Sequence, residues 1–281
     1  MTTRLREFQF TEKDFARVSK LVGRYAGISL QPHKEALVYG RLARRVRLLG
    51  LKSMKEYLDL LGDENSQEFT HFVNALTTNV TSFFREEHHF DYLANVFLPE
   101  LCKGKRNVKL RFWSAGCSKG MEPYSLAIVL YEFMEKFGPL DVKILATDLD
   151  CSVVEVAEKG IYPEEALKGM SEERKKKWFR KGRGESEGTI CVSPLLQRLI
   201  TFRKLNLMDQ WPMRGQFDMV MCRNVVIYFN RETQGKLFYR FSDIIKPNGL
   251  LVLGHSETLG KCSWRFRSFG KTMHRKMVPT K

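Results

Sequence analysis

The chain reads as an α/β protein, a mostly parallel sheet preceded by an all-α domain. Three observations predict this. Residues 10–80 carry helical periodicity and helix-start signals. From Val108 onward, short apolar runs alternate with amphipathic helices, which is the pattern of βα units around a parallel sheet. The clearest such unit is Val108 to Tyr131, VKLRFWSAGCSKGMEPYSLAIVLY. There a strand-like run breaks at Ser114, Ala115, Gly116, Cys117, Ser118 and Gly120 and resumes as a helix carrying Leu126, Val129, Leu130 and Phe133. Strand, glycine-bearing turn and helix let a backbone come close to a nucleotide-like ligand. The strict G-x-G-x-x-G is absent, and an ordinary tight βα turn has the same appearance.

The helical part starts at Thr11, which with Asp14 predicts a capping box ahead of Phe15, Val18, Leu21 and Val22. Gly27 and Pro32 mark a turn. A second helix from about His33 to Leu49 gathers Val38, Leu42, Val46 and Leu49 on one side and Arg41, Arg44, Arg45 and Arg47 on the other. Residues 34–55 hold seven Lys and Arg against one acid, Glu35. The four arginines have no acidic partner at i±4, which points to a docking face; a solvated helix face is the plainer reading. Helical pieces follow at Tyr57–Leu61 and Gln67–Leu76.

The linker Asn74 to Phe90, NALTTNVTSFFREEHHF, contains the turn formers Asn79, Thr81 and Ser82 before an apolar pair, Phe83 and Phe84, and then Arg85. It reads as a segment folding back onto the larger domain with Arg85 at a pocket edge, or as a simple helix start. After the opening βα unit, a strand over Val142–Leu145 ends in Ala146-Thr147-Asp148-Leu149-Asp150. An acid at that strand tip is placed to accept the hydroxyls of a ribose. A basic stretch over 171–183 leads to Gly182, Gly184 and Gly188, with short strands expected at Thr189–Val192 and Leu199–Arg203. This reads as an inserted β-subdomain at about 180–203, whose edges could take an added strand. Phe217–Cys222 is a buried strand followed by Arg223-Asn224. Lys246-Pro247-Asn248-Gly249 turns into the strand Leu250–Gly254, and a closing hairpin pairs onto the sheet edge.

Composition bounds the function classes. The chain has 281 residues and a formal charge of +15, so a polyanionic partner is expected, either nucleic acid or an acidic protein surface. No apolar run approaches a membrane span and the first residues lack a signal-peptide core, so no membrane insertion and a cytoplasmic location are expected. Six scattered cysteines form no C-x-x-C pair and six histidines no H-E-x-x-H. His88 and His89 are adjacent and expected to diverge on a helix, so no metal site is expected.

Several of these signals occur together as longer words: NALTTNVTSFFRE, SAGCSKGMEPYS, ATDLD, FDMVMCRNVVIYF and LVLGHSE, in that order. The KPNG turn before an apolar strand resembles the class I S-adenosylmethionine-dependent methyltransferases, which have a mostly parallel seven-stranded sheet. The words themselves resemble the chemotaxis receptor methyltransferase family (CheR), over about residues 10–275. The resemblance implies an N-terminal helical receptor-docking domain (1–78), a linker with the first helix of the catalytic domain (79–106), and a methyltransferase domain (107–281) carrying the small antiparallel insertion.

It further implies a protein-glutamate O-methyltransferase, with S-adenosyl-L-methionine as cofactor and S-adenosyl-L-homocysteine as product. Asn79, Thr81 and Arg85 would approach the cofactor from the lid side, and Gly116 would stand in the glycine turn. Glu122 and Asp148 would hold the polar groups and ribose, Asn206 and Leu207 would flank the adenine, and Arg223 and Asn224 would lie beneath the sulfonium. Arg85 and Tyr228 would face the transferred methyl as catalytic residues. Arg41, Arg44, Arg45 and Arg47 would dock an acidic chemoreceptor bundle, and the insertion would capture a receptor C-terminal peptide. A monomer with no nucleic-acid partner is expected; a methyltransferase acting on nucleic acid or on another acidic protein is the alternative. The family usually carries two acids before Pro-Tyr-Ser, and Met121 replaces the first of them here.

Overall fold

Thr11 opens the first helix with a reciprocal cap. Its hydroxyl accepts from the Asp14 N–H, and the Asp14 carboxylate accepts from the Thr11 N–H at 2.8 Å. The computed structural model describes residues 6–278; the ends of the expected terminal segments, 1–5 and 279–281, lie outside the described residues. Helix α1 (Glu12–Ala26) is followed by α2 (Glu35–Leu48), α3 (Met54–Leu60) and α4 (Gln67–Leu76). Ser53 and Ser66 cap α3 and α4 by accepting from Glu56 and Phe69 N–H groups. Val18, Val22, Leu42, Val46, Leu58, Phe69 and Phe72 are buried within this helical unit. The segment Tyr228–Thr233 groups with it: Ile28 bridges to Phe229, and the Ser29 N–H donates to the Tyr228 carbonyl at 2.7 Å.

The second unit comprises Asn79–Ile227 and Gln234–Lys281. It begins with α5 (His88–Tyr92) and α6 (Leu98–Cys102), joined through one π-helical turn at Leu93–Phe97. Then come β1 (Lys109–Ala115), α7 (Met121–Phe137), β2 (Asp141–Asp148) and α8 (Cys151–Lys159). The middle of the unit holds β3 (Ile161–Pro163), α9 (Glu172–Trp178), β4 (Phe179–Lys181), β5 (Thr189–Val192), α10 (Pro194–Leu199) and β6 (Ile200–Lys204). It closes with β7 (Phe217–Cys222), α11 (Arg231–Ile244) from Gln234 onward, β8 (Ile245–Leu253), β9 (Phe266–Ser268) and β10 (Met273–Lys276).

The main sheet has seven strands in the order β6-β2-β1-β7-β8-β10-β9. The first five are parallel, and β10 and β9 add an antiparallel hairpin at the edge. Parallel strands are covered on both faces, which is why β7 reads as an unbroken buried run. Trp113 lies fully buried in β1, in register with Leu145 on one side and Val220 on the other. The chain leaves β1 outward through β2 to β6 and then returns to β7 on the other side of β1. The order therefore reverses between β1 and β7, and in open α/β sheets ligands bind outside the carboxyl ends of the strands at such a reversal.

Two expectations are corrected. The strand expected at 199–203 within the insertion is β6 of the main sheet, pairing in parallel with Ile144–Asp148. A parallel partner of β2 needs a long crossover, and everything from α8 to α10 is that crossover. The small antiparallel sheet instead has the order β3-β5-β4, so it draws on Ile161–Pro163 and Phe179–Lys181 as well as Thr189–Val192. The Lys246–Gly249 turn lies inside β8: Phe217 pairs with Ile245 and Met219 with Leu250, so the extra residues loop out as an irregularity in one continuous strand.

Candidate active site

The glycine turn, the Asp148 tip and the Arg223-Asn224 pair all lie at the carboxyl ends of parallel strands. β1 runs into a turn in which Gly116 (φ 86), Ser118 (φ 49) and Gly120 (φ 86) are left-handed. The N–H groups of Gly116 and Cys117 both donate to the Thr147 carbonyl, at 2.8 and 2.9 Å, which folds the turn over the end of β2. Glycine is required at 116 on two counts: the positive φ, and a Cβ there would stand 2.4 Å from Val225 Cγ2. The turn delivers α7, buried on every side over Met121–Leu130.

Asp148 sits at the tip of β2. Its carboxylate accepts from the Ser118 N–H at 2.7 Å and the Asp150 N–H at 3.0 Å, and burial pushes its pKa up to about 6 against these bonds. Asp150 caps α8 through Ser152 and accepts from Asn79 Nδ2 at 2.8 Å. The Asn79 carbonyl accepts from Ser118 Oγ at 3.0 Å, so the linker word is tied to the glycine turn. Thr81 is half-buried in the same stretch. The aromatic pair behind it is anchored: Phe83 lies edge-on to Tyr162 and Phe179 of the small sheet, and Phe84 N–H donates to Ser125 Oγ. Arg85 follows, half-exposed, with Nη1 donating to the Val80 carbonyl at 3.0 Å. Asn206 and Leu207 are buried just past β6, where Asn206 Oδ1 accepts from the Met208 N–H.

Glu122 and Arg223, expected at the cofactor, are paired with each other at this edge. Ser114 Oγ donates to Glu122 Oε1 at 2.7 Å, and Arg223 Nη1 donates to Glu122 Oε2 at 3.0 Å. Arg223 Nη2 donates to the Arg85 carbonyl and stands 3.5 Å from Glu86 Oε2. Its side chain is 2% exposed. The pair therefore joins β1, α7 and the end of β7 and holds the main chain at Arg85. Its first task is to position the strand ends, and Glu122 keeps one spare lone pair per oxygen.

Met121, the departure from the family pattern, is buried at the start of α7 and packs with the apolar core.

Sequence reading passed over Glu257. It is 3% exposed, and its carboxylate accepts from the N–H groups of Gly254 (2.6 Å), Asn224 (2.9 Å), Val225 (2.9 Å) and Ile227 (3.3 Å). Burial raises its pKa in spite of those four bonds. It fixes the loop after β7, where Asn224 is left-handed (φ 58). The signal is present in LVLGHSE, an acid four residues past the end of a buried strand. Tyr228, at the end of the same loop, belongs to the helical unit by its contacts.

The four arginines of the expected docking face have different surroundings. Arg41 donates to the Leu76 and Thr77 carbonyls at 3.0 and 2.8 Å and so caps the C-terminus of α4. Arg45 forms a two-pronged pair with Glu68 at 3.1 and 2.5 Å, and Tyr57 OH donates to the same carboxylate at 2.8 Å. Both partners of that pair are 17% exposed. These two arginines build the helical unit. Arg44 and Arg47 are exposed, Arg47 in a loose surface pair with Glu7, beside the exposed Leu48.

The residues at the carboxyl edge fit an adenosyl cofactor by their donor set. Asp148 offers a buried carboxylate to a diol, the 116–120 turn brings main chain to the switch point, and Asn206 and Leu207 line the far side. Comparison with known proteins agrees. Residues 79–274 match the family description "CheR methyltransferase, SAM binding domain", and residues 13–77 match "CheR methyltransferase, all-alpha domain". The chain is 44% identical over 269 residues to chemotaxis protein methyltransferase 2 of Pseudomonas aeruginosa, covering 95% of this chain and 94% of that one. It is 41% identical over 276 residues to the chemotaxis protein methyltransferase of Escherichia coli, covering 98% and 93%. Among the described residues no helix is long and apolar enough to cross a membrane. With both halves matched in order, the chain belongs to the CheR methyltransferase family, and its cofactor is S-adenosylmethionine.

Proposed function

We propose that the protein methylates side-chain carboxylates of glutamates on chemoreceptors, leaving a glutamate methyl ester and S-adenosylhomocysteine. The observation that supports this best is the convergence of the Asn79–Arg85 linker, the 116–120 turn, Asp148, Asn206-Leu207 and Arg223-Asn224 at one edge of the sheet, in a chain of this family. The bound cofactor supplies an electrophilic methyl on a sulfonium. A glutamate carboxylate, with an ordinary pKa of about 4.3, is already ionised at neutral pH, so the chain need not abstract a proton.

The work left to these residues is alignment and exclusion of water. Asp148 accepts the ribose hydroxyls, and Asn79 and Thr81 close over the cofactor. Asn206 and Leu207 bracket its base. Arg85, held through Nη1 by the Val80 carbonyl, orients the incoming carboxylate with its remaining N–H groups by a charge-assisted pair. Tyr228 borders the methyl, and Asn224 contributes main chain and amide at the strand end. Glu122 and Arg223 support this edge from within, and Gly116 lets the turn close.

The receptor bundle docks on Arg44 and Arg47, with Leu48 as its apolar contact; Arg41 and Arg45 serve that face by holding the helices beneath it. The small sheet takes a receptor C-terminal peptide by strand addition. Its Phe179–Lys181 edge suits this better than Ile161–Pro163, whose proline lacks an N–H to offer. The protein works as a cytoplasmic monomer made of a helical receptor-docking domain and a methyltransferase domain. Incubation with labelled cofactor and a receptor cytoplasmic fragment tests this reading. It predicts base-labile label on receptor glutamate that Arg85→Ala reduces by about 10²-fold at saturating cofactor; undiminished turnover in Arg85→Ala removes the assignment to Arg85.

A further inference from the structure

Glu86, His88 and His89 cluster at the start of α5, outside the groups assigned above to cofactor or acceptor. One carboxylate oxygen and one nitrogen from each ring lie within 4.8 Å of one another. The two rings do not diverge as their adjacency suggests: their centroids are 4.1 Å apart. Glu86 has a left-handed backbone (φ 55) in the turn just before the helix.

The decisive feature is what the buried atoms lack. His89 is 1% exposed at its side chain, and its Nε2 lies 2.8 Å from the Lys271 carbonyl. A carbonyl only accepts, so that nitrogen carries the hydrogen and Nδ1 presents a lone pair. Nδ1 is buried with no hydrogen-bond partner, and facing it at 3.6 Å is Glu86 Oε2, likewise buried and without a hydrogen-bond partner. Glu86 Oε2 has Arg223 Nη2 at 3.5 Å as an ion-pair partner, but neither of the two buried acceptors receives a hydrogen bond, which favours a positive guest between them. The surrounding charge agrees: Glu86 and Glu122 face a single guanidinium, that of Arg223. His255 Nδ1, 3.0 Å from Glu86 Oε1, braces the carboxylate from the solvent side.

We propose that Glu86, His88 and His89 bind one divalent transition-metal ion of the zinc type, with a water completing the coordination. Two imidazoles and a carboxylate suit zinc, cobalt or nickel and poorly suit magnesium or calcium. Ligand atoms around a tetrahedral zinc stand roughly 3.3–3.5 Å apart. Glu86 Oε2 and His89 Nδ1 are already near that spacing, and the half-buried His88 ring has only to swing inward. The ion would fix the turn next to Arg85 while leaving the cofactor-facing groups untouched.

Cobalt(II) titration of the full-length, reduced, metal-stripped protein tests this, with zinc as competitor. The expected result is one equivalent bound, visible ligand-field bands without a thiolate charge-transfer band, displacement by zinc, and about a tenfold or greater loss of affinity in His88→Ala. His88→Gln, checked for fold by circular dichroism, gives the same loss if His88 is a ligand. No binding at concentrations up to about a hundred times micromolar would overturn the proposal. So would a thiolate band, which places the ion on cysteine, or unchanged affinity in both His88 variants.

Discussion

Arg223 Nη1 lies 3.0 Å from Glu122 Oε2, in an ion pair that is out of water on both sides and spans β7 and the start of α7. Removing one member strands the other. Arg223→Met is expected to cost about 3–5 kcal/mol in urea unfolding. Glu122→Gln keeps a group for Ser114 Oγ and is expected to cost about 1–3 kcal/mol. Replacing both by Met and Leu is expected to recover part of the single-variant loss, so a double variant less stable than Arg223→Met would show that the pair is not the unit.

Arg45 and Arg44 are neighbours in sequence with opposite expected phenotypes. Arg45→Ala leaves Glu68 in a half-closed site with only Tyr57, and is expected to lower stability by about 1–3 kcal/mol. Arg44→Glu is expected to leave thermal unfolding within about 0.5 kcal/mol of the parent. It is also expected to weaken receptor methylation, more at low than at high salt, while cofactor affinity stays put. Equal loss of receptor and cofactor binding in Arg44→Glu would count against docking on this face.

Asp148 gives a pH signature. Its carboxyl titrates at about 6 in the fold because it is buried. A raised acid pKa means the folded state holds the proton longer than the unfolded chain, whose value is about 3.9. This group's contribution is therefore favourable at low pH and is lost as pH rises through about 6. Ribose hydroxyls donate best to the ionised form, so calorimetric affinity for S-adenosylhomocysteine is expected to climb between about pH 5 and 7 and then level off. Asp148→Asn is expected to bind weakly with no such climb; a wild-type affinity flat across that range would remove Asp148 from the ribose.

Glu257 predicts a dynamic effect. Its carboxylate is the shared acceptor of three N–H groups of the 224–227 loop and that of Gly254. Glu257→Gln substitutes a donor for one acceptor oxygen, and hydrogen exchange at 224–227 is expected to speed up by about ten- to a hundred-fold, with β1 and β7 unchanged. Unchanged exchange in the loop would mean it is held from elsewhere.

What was legible in the sequence was local. The Thr11–Asp14 cap, the glycine turn and the acid at the tip of β2 announce themselves within a few residues, because each is set by backbone chemistry at one strand or helix end. What was hidden was distant. Arg45 looks unpaired within its helix because its partner, Glu68, lies on another one. The partners of Arg223, Glu122 and the Arg85 carbonyl, are far off in sequence, and only the fold brings them near. Strand β6 is a short apolar run, and such a run does not say which sheet it joins. His88 and His89 were set apart by an ideal helix geometry that does not hold in the first turn of α5.

The most direct measurement of the central claim is the location and chemistry of the transferred methyl. The protein is incubated with methyl-labelled S-adenosylmethionine and a receptor cytoplasmic fragment, and the receptor peptides are sequenced by mass spectrometry. The account predicts label on glutamate side chains as a base-labile ester, lost when those glutamates are replaced by alanine and greatly reduced by Arg85→Ala. Base-stable label on another side chain, label on nucleic acid in preference to receptor, or no transfer with cofactor bound would contradict it.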